Sequence, residues 1–558
     1  MADIPKQQYA VQLIGPDELV INKSKAVVRP GPHQILCRVE VVGLCFSDLK
    51  LLKQFAGHVR KSNIVSGIDS QILAEISSYV PGDKPTVPGH ETVVRIKAVG
   101  PGVVRYRVGE RYLVQTDYRW LRTTSSNAAF GYNFEGALQE YVLMDERVIT
   151  SPEGESMLLP ASESLSASAI ALVEPWACVE DAYASYERTS IKKDGRMLIV
   201  PGEDVSPGSF GKLFKQYGRP REITWASKGR PPAELAGAIR KAEDINSLPD
   251  AAYDDIVCFG SNPDIVEGLF AKLCAGGILN IVLCGGRFGQ AVESAVGRIH
   301  YGSIRIVGTC GLDPAESMRY IPRTGEIRPG DRINIVGAGG PMGMMHVVRN
   351  ICQGVEGVSV FAGDVDDKRL EILARIARPV AKKNKVEFET YNPKHDKVEE
   401  QFDYTALMTP MPQLVADAVS NAADGAIINI FAGIPATVKG KLDLDVCIEK
   451  QIYFIGTSGS TLEDMKRMLA KLEAGQLDTN VSIAAISGLD GATDGIRAVE
   501  NRTIAGKIMV YPACRGLGLT RLEELDRKLP EVAECLNDGL WTGEAERKLL
   551  ESYEVRRH

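Results

Sequence analysis

The sequence predicts an α/β protein: a β-rich N-terminal region followed by two tandem doubly wound units. Three observations predict it. The first ~150 residues read as short strands between Gly and Pro breakers, as in Gln34-Ile-Leu-Cys-Arg-Val-Glu-Val-Val42 and Thr92-Val-Val-Arg-Ile-Lys-Ala-Val99. From about residue 190 to 457 apolar strands alternate with helical stretches, which implies parallel sheets flanked by helices. That stretch also carries one series of landmarks twice. Gly195-Arg-Met-Leu-Ile-Val-Pro-Gly-Glu-Asp-Val-Ser-Pro-Gly208 corresponds to Asp331-Arg-Ile-Asn-Ile-Val-Gly-Ala-Gly-Gly-Pro-Met-Gly343. Ala275-Gly-Gly-Ile-Leu-Asn-Ile281 corresponds to Asp424-Gly-Ala-Ile-Ile-Asn-Ile430, and Ile304-Arg-Ile-Val-Gly-Thr309 to Ile452-Tyr-Phe-Ile-Gly-Thr457. The second copy is longer in its first half.

Bulk properties bound the function without naming it. A chain of 558 residues holds several domains, and 44% hydrophobic with 25% charged residues is a globular composition. The net charge of −7 argues against a nucleic-acid surface, which needs a basic face. The start, Met-Ala-Asp-Ile-Pro-Lys, lacks the tracts of a signal peptide, and no apolar run is long enough to span a bilayer. The 11 cysteines lack paired spacing, so reduced thiols in a cytoplasmic protein are expected. Neither a nucleic acid nor a membrane is an expected partner.

The two copies differ at the loop that matters for a nucleotide. In the second, Gly337, Gly339, Gly340, Pro341, Met342 and Gly343 follow a strand and precede the helix-like stretch from Met344 to Cys352. Glycines there let backbone approach a pyrophosphate at a helix N-terminus. Asp364 ends the next strand, at the spacing of a ribose-hydroxyl acceptor. A carboxylate there repels a 2′-phosphate and favours NAD over NADP, although Lys368 and Arg369 follow closely. The first copy instead offers Pro201-Gly202-Glu203-Asp204, whose carboxylates oppose a pyrophosphate, and its second strand, Ile223-Thr-Trp-Ala-Ser-Lys228, ends without an acid. It is expected to be degenerate and structural.

Chemistry-bearing residues lie mostly upstream. Gly43-Leu-Cys-Phe-Ser-Asp48, Pro88-Gly-His-Glu91 and Val173-Glu-Pro-Trp176 together supply a thiol, an imidazole and carboxylates. That is the donor set of an open catalytic zinc site; a closed structural site would repeat Cys pairs two to four residues apart. For Ser47 and Asp48 the alternative is a turn or helix cap, which these residue types favour.

These motifs resemble the zinc-dependent medium-chain dehydrogenases, in particular the polyol branch around sorbitol dehydrogenase and sorbose-1-phosphate reductase. The resemblance runs from about residue 30 to 512 and adds to those motifs Val-Gly-Glu-Arg at 108–111, Glu-Gly-Ala-Leu-Gln-Glu-Tyr at 135–141, Glu-Pro at 174–175 and the closing Gly506-Lys-Ile-Met-Val510. It implies one catalytic zinc held by Cys45 and His90, with Glu91 or Glu174 completing the shell, and catalytic roles for these four together with Ser47 and Asp48. Ser47 would pass the alcohol proton outward, and Asp48 would orient a ligand. It also implies a GroES-like catalytic domain over 1–190, a degenerate Rossmann-like domain over 191–311 and a connector over 312–329. An NAD-binding Rossmann domain over 330–457, a return segment over 458–512 and a helical C-terminal extension over 513–558 complete the expected order. The activity implied is NAD-linked oxidation of a secondary alcohol in a polyol, sugar or sugar derivative, possibly phosphorylated. An amino alcohol or simple secondary alcohol as substrate, or a non-catalytic scaffold on the same fold, are the alternatives.

Two departures from that family stand out. No cysteine lies between Val108 and Glu140, so no second, structural zinc is expected. The stretch between Cys45 and His90 is long and carries Lys53, His58, Arg60 and Lys61 before a helix-like segment from Ile68 to Val80. It reads either as a basic rim for a phosphorylated or acidic sugar or, more simply, as a solvated surface insertion. The last strands of the two copies, 304–309 and 452–457, are expected to pair across a pseudo-two-fold axis, imitating a dimer inside one chain and covering two open edges. A monomer of that kind or a homo-oligomer are both compatible with the sequence.

Overall fold

β-Branched residues along Gln34–Gly43 make it the strand around which one sheet assembles. It pairs antiparallel with Glu91–Val99 on one side, and on the other with Tyr141–Asp145 and, at its far end, with Lys507–Val510. The eight-stranded sheet thus draws a strand from late in the chain against the N-terminal region. Gly43 stands directly across from Glu91 on one side and from Met509 on the other. In this computed structural model, residues 4–202, 209–235, 239–457 and 459–554 are described. They divide into one unit of Met1–Ala177 with Ser460–His558 and a second of Cys178–Gly459.

The insertion lies largely on the surface but is knitted into the first unit at one strand. Its strand Ile64–Ser66 pairs antiparallel with Asp117–Thr123, which pairs with Asn127–Ala129. The segment expected to be helical from Ile68 to Val80 is helical only over Ser70–Glu75, because Tyr79 beyond it bridges to Phe134 and stacks on its ring at 5.1 Å. The C-terminal residues form the short helices Leu525–Lys528 and Pro530–Ala533 and the longer Gly543–Glu554.

The second unit contains the repeat. One six-stranded sheet runs Ile239–Ala242, Glu222–Ala226, Arg196–Val200, Tyr253–Phe259, Leu273–Val282, Arg305–Thr309. The other runs Glu387–Tyr391, Ser359–Gly363, Arg332–Val336, Phe402–Leu407, Ala422–Ile430, Tyr453–Ile455. Both are wholly parallel and share one strand order, reversing direction at the first strand as in doubly wound dinucleotide folds. The extra length of the second copy is accounted for by its helix Asp367–Asn384. Where that helix stands, the first copy has only the short turn Ala233–Leu235, and residues 236–238 lie outside the described residues. Glu203 and Asp204, on which the expected degeneracy of the first loop partly rests, also lie outside them.

The outer strands Arg305–Thr309 and Tyr453–Ile455 lie against each other, but the expected backbone pairing is not what joins the copies. Among the described residues the copies are joined through the antiparallel strands Val292–Ser294 and Gly440–Leu442. A shared apolar core, with Ile281, Ile306, Ile428, Ile448 and Phe454 among its members, backs that junction. Between the outer strands side chains take over: Glu187 accepts from Arg305 at 2.6 Å and from the Tyr453 hydroxyl at 2.7 Å. The pairing fails for a local reason. The Tyr320 hydroxyl occupies the outer edge at Gly308, accepting from its N–H at 2.6 Å and donating to its carbonyl at 3.0 Å.

Candidate active site

Cys45 is the N-cap of the helix Phe46–Gln54, and the Asp48 carboxylate accepts from its backbone N–H at 3.1 Å. The expected capping role of Asp48 is therefore present, and its other oxygen does more. Asp48 Oδ1 lies 3.1 Å from His90 Nδ1, with both side chains almost fully buried. Nδ1 donates to Asp48 in either protonation state, so a ligand that displaces the Nε2 proton meets a lone pair already aimed into the site. Burial disfavours the charged imidazolium, yet the Asp48 carboxylate and the Cys45 hydrogen bond push His90 well above its ordinary range. Ser47 Oγ lies 3.1 Å from Cys45 Sγ and 3.1 Å from His90 Nε2, so one hydroxyl spans both donors.

Glu91 follows His90 and starts the strand across from Gly43. A Cβ at Gly43 would lie 2.3 Å from Glu91 Oε2, so the glycine is what admits the carboxylate. One ligand atom each from Cys45, His90 and Glu91 fall within 4.8 Å of one another. Glu91 Oε1 accepts from Lys507 at 2.6 Å, while Oε2 is buried without a hydrogen-bond partner. Glu174, in the first turn of Val173–Ala184, is outside that tight trio but feels it. Its carboxyl is pushed up to about 7, first by burial and next by the Glu91 charge, against the pull of His90 and Lys507.

Lys507 is the functional residue that sequence reading missed. It stood in the closing segment as a family marker with no role assigned. Pairing of Lys507–Val510 with the end of Gln34–Gly43 carries it under the site, where it also donates to Leu44 O at 2.9 Å. The signal that would have found it is a lysine opening an otherwise apolar strand.

The insertion residues do not form a basic rim. Lys53 is exposed and pairs with Asp17 and Glu500, each at 2.6 Å. Lys61 is fully buried and donates to Val80 O and to Lys84 O; burial lowers it to about 8. His58 is buried and packs on Tyr132 with ring centroids 5.1 Å apart, and burial lowers it to about 4, so it is neutral. Arg60 approaches the trio by the same Tyr132 ring, which is 5.8 Å from His90, and pairs with Asp117 at 2.7 Å.

In the second unit, Gly337 has φ +82°, and a Cβ at Gly343 would lie 2.4 Å from Gly337 O, so the turn closes only with glycine at both. A Cβ at Gly339 would lie 2.6 Å from Arg369 Cβ and 2.9 Å from Asp364 Oδ2, while Gly340 is open. Gly340 is the N-cap and Pro341 the first residue of the helix Pro341–Cys352, with Met342 partly exposed beside it. Asp364 accepts from Gly339 N at 2.9 Å and from Asp366 N at 3.1 Å. Asp364 and Arg369 thus flank the same glycine.

Residues 31–153 match the alcohol dehydrogenase GroES-like domain. The uncharacterised protein YggP of Escherichia coli K12 is 26% identical over 250 residues, 41% of this chain and 58% of that protein. A sorbitol dehydrogenase of Halalkalibacterium halodurans is 26% identical over 201 residues, 34% of this chain and 47% of that protein. The chain thus spans about half the length of these curated relatives. In fold it resembles the crystal structure of 2R,3R-butanediol dehydrogenase from Bacillus subtilis, with TM-score 0.51 and 13% identity, covering 91% of this chain and 100% of that one. No helix among the described residues is long and apolar enough to cross a membrane. The GroES-like domain, the polyol dehydrogenase relative and the shared fold support a relationship to the medium-chain dehydrogenases.

Proposed function

We propose that the protein is a zinc-dependent, NAD-linked dehydrogenase that oxidises a secondary alcohol of a neutral polyol or sugar. The observation that carries the reading is the trio of half-buried Cys45 with buried His90 and Glu91, with Ser47 Oγ within 3.1 Å of two of its members. The donors fit zinc: a thiol, an imidazole whose tautomer Asp48 sets, and a carboxylate with one buried oxygen left unpartnered. Zinc held there would supply Lewis-acid polarisation of the substrate oxygen, and the nicotinamide would accept the hydride.

The chain's own residues do the rest. Ser47 relays the proton of the substrate hydroxyl outward, accepting it on Oγ as its own proton leaves towards solvent, from a position within 3.1 Å of two of the donors. Asp48 holds the His90 ring against rotation. Lys507 pairs with Glu91 on its far side and so compensates the carboxylate's charge in a buried place. Glu174 stands by as the second carboxylate of the shell. Gly337, Gly339, Gly340 and Gly343 admit the pyrophosphate to the N-terminus of the helix begun by Pro341 and Met342, and Asp364 takes the ribose hydroxyls. Asp364 favours NAD over NADP, while the adjacent Arg369 limits that preference.

A neutral substrate fits better than a phosphorylated one, because Arg60 is matched to Asp117 and the other insertion cations are paired, buried or neutral. Asp117, Arg60 and Tyr132 are suited to hydroxyl groups. The test is a panel of polyols, sugars and sugar phosphates with zinc-loaded protein, following NAD and NADP reduction. Expected are turnover of neutral polyols with NAD and, in Cys45→Ala, loss of both zinc and turnover. Full activity in Cys45→Ala would end the zinc reading; preference for a phosphorylated sugar would end the neutral-substrate reading.

A further inference from the structure

Both copies of the repeat lie in one compact unit, and the degenerate copy reaches the other's crevice. In a doubly wound sheet the dinucleotide lies across the carboxyl ends of the strands where the order reverses. Here that point lies between Arg332–Val336 and Phe402–Leu407. Asp364 marks the adenosine half on one side. The nicotinamide half must then lie over the ends of Phe402–Leu407 and Ala422–Ile430, and its floor includes the loop that begins at Phe431.

That loop rests on the helix Val296–Tyr301 of the degenerate copy. His300 Nδ1 donates to Ile430 O at 3.0 Å, at the last residue of the strand. The approach is close: a Cβ at Gly297 would lie 2.0 Å from Pro435 O, and Gly297 N donates to Val438 O at 3.2 Å. Tyr301 stacks edge-on against His300 at 4.5 Å, and its hydroxyl would be 2.8 Å from a Cβ at Gly433. The tyrosine is nevertheless 46% exposed, a large ring left open at the edge of the loop.

The reciprocal contact shows that this chemistry is not imposed by the pseudo-symmetry. There the helix Leu444–Glu449 holds the corresponding loop of the degenerate copy through Asp445, whose carboxylate accepts from Phe288 N and Gly289 N at 2.9 Å each. An anionic clamp serves the copy without a fingerprint. An imidazole and a phenol serve the copy with one, where a nearby carboxylate would oppose the charged dinucleotide.

We propose that the degenerate copy completes the cofactor site of its partner, with His300 and Tyr301 as positioning residues for the nicotinamide half. The proposal rests on the dinucleotide reading above. Its test compares two ligands that share the adenosine half: the reduced nicotinamide dinucleotide, and ADP-ribose, which lacks the nicotinamide. Binding is measured by titration calorimetry on wild type, Tyr301→Ala, Tyr301→Phe, His300→Leu and His300→Asn. Expected is a loss of about three- to tenfold for NADH in Tyr301→Ala and His300→Leu, the scale of one or two hydrogen bonds, with ADP-ribose within about twofold of wild type. His300→Asn, which keeps a donor, should recover part of the loss, and Tyr301→Phe should separate ring from hydroxyl. Equal loss for both ligands, or no loss for NADH, overturns the proposal. Wild type that binds neither NADH, NADPH nor ADP-ribose overturns the dinucleotide reading itself. Should His300→Leu fail to fold, the exposed Tyr301 variants still decide the matter.

Discussion

At the scale of single residues, the site is a set of buried charges that depend on one another. Lys507 and Glu91 are both buried and paired at 2.6 Å. Removing one partner of such a pair leaves the other charge uncompensated, which costs about 3–5 kcal/mol. Lys507→Met should therefore lower the urea midpoint of the zinc-free protein markedly, and added zinc should restore part of the loss by neutralising Glu91. An unchanged midpoint would mean that the pair does not form. Ser47 makes the opposite kind of prediction. Ser47→Ala should keep its zinc, measured by metal analysis, while kcat falls by about 10²–10⁴, the usual worth of a positioned proton acceptor. Glu174 adds a pH dependence. Its folded value, about 7, lies above the ordinary 4.5, so the folded zinc-free protein holds a proton that the unfolded chain releases. Stability of that form should fall as pH rises from 4.5 towards 7. Zinc binding at pH 7 should release protons, read with an indicator dye in weak buffer. Cys45, Ser47, Asp48 and His90 were legible in sequence because two short motifs carry them. Lys507 was not, because its role comes from strand pairing across the whole chain.

At the scale of elements, the C-terminal helix Gly543–Glu554 explains a segment that sequence alone reads only as charged and helix-prone. Glu546 is buried and accepts from Ser168 N at 2.8 Å, from Ala167 N and from the Tyr511 hydroxyl at 2.9 Å. It thereby caps the helix Ala167–Ala171, which leads through Leu172 into the helix that carries Glu174. Burial raises the Glu546 carboxyl, and the Ser168 and Ala167 amides oppose that shift. Replacing a helix cap costs about 0.5–2 kcal/mol, with more where a buried donor is orphaned. Glu546→Ala should lower the thermal midpoint measurably, and Glu546→Gln, which can still accept, should lower it less. Equal effects would assign the residue to packing alone. The long-range contact between residues 168 and 546 has no local signature, which is why the extension's role could not be read from sequence. The helix Leu462–Glu473 could be, because its apolar residues recur at helical spacing.

At the scale of the whole molecule, the repeat was legible because similar landmarks recur in order, and the two sheets keep one strand order. What sequence could not give was the seam: the copies join through Val292–Ser294 with Gly440–Leu442 instead of through their outer strands, since seam contacts follow no periodicity. One pH property is distributed over both units. His58 in the first and His346 in the second are buried and neutral, lowered to about 4 and about 3 mainly by burial. His346 Nδ1 lies 2.7 Å from the Tyr183 hydroxyl, and the ring packs edge-on to Phe431 at 4.5 Å, with Arg349 as a further charge disfavouring the imidazolium. Below the ordinary histidine value of 6.5 the unfolded chain takes up protons that these folded rings refuse. Their contribution to stability is therefore complete above 6.5 and is lost as pH falls towards their folded values. Paired carboxylates also weaken the fold in acid, so the wild-type slope alone cannot assign the effect. The difference between wild type and His346→Phe can, because the variant has one fewer proton to bind on unfolding. Between pH 6 and 4 its urea-derived stability should fall less steeply than wild type by up to about 1.4 kcal/mol per pH unit. Parallel slopes would mean that His346 is charged in the folded protein or already protonated alongside it, and the neutral buried ring would have to be abandoned.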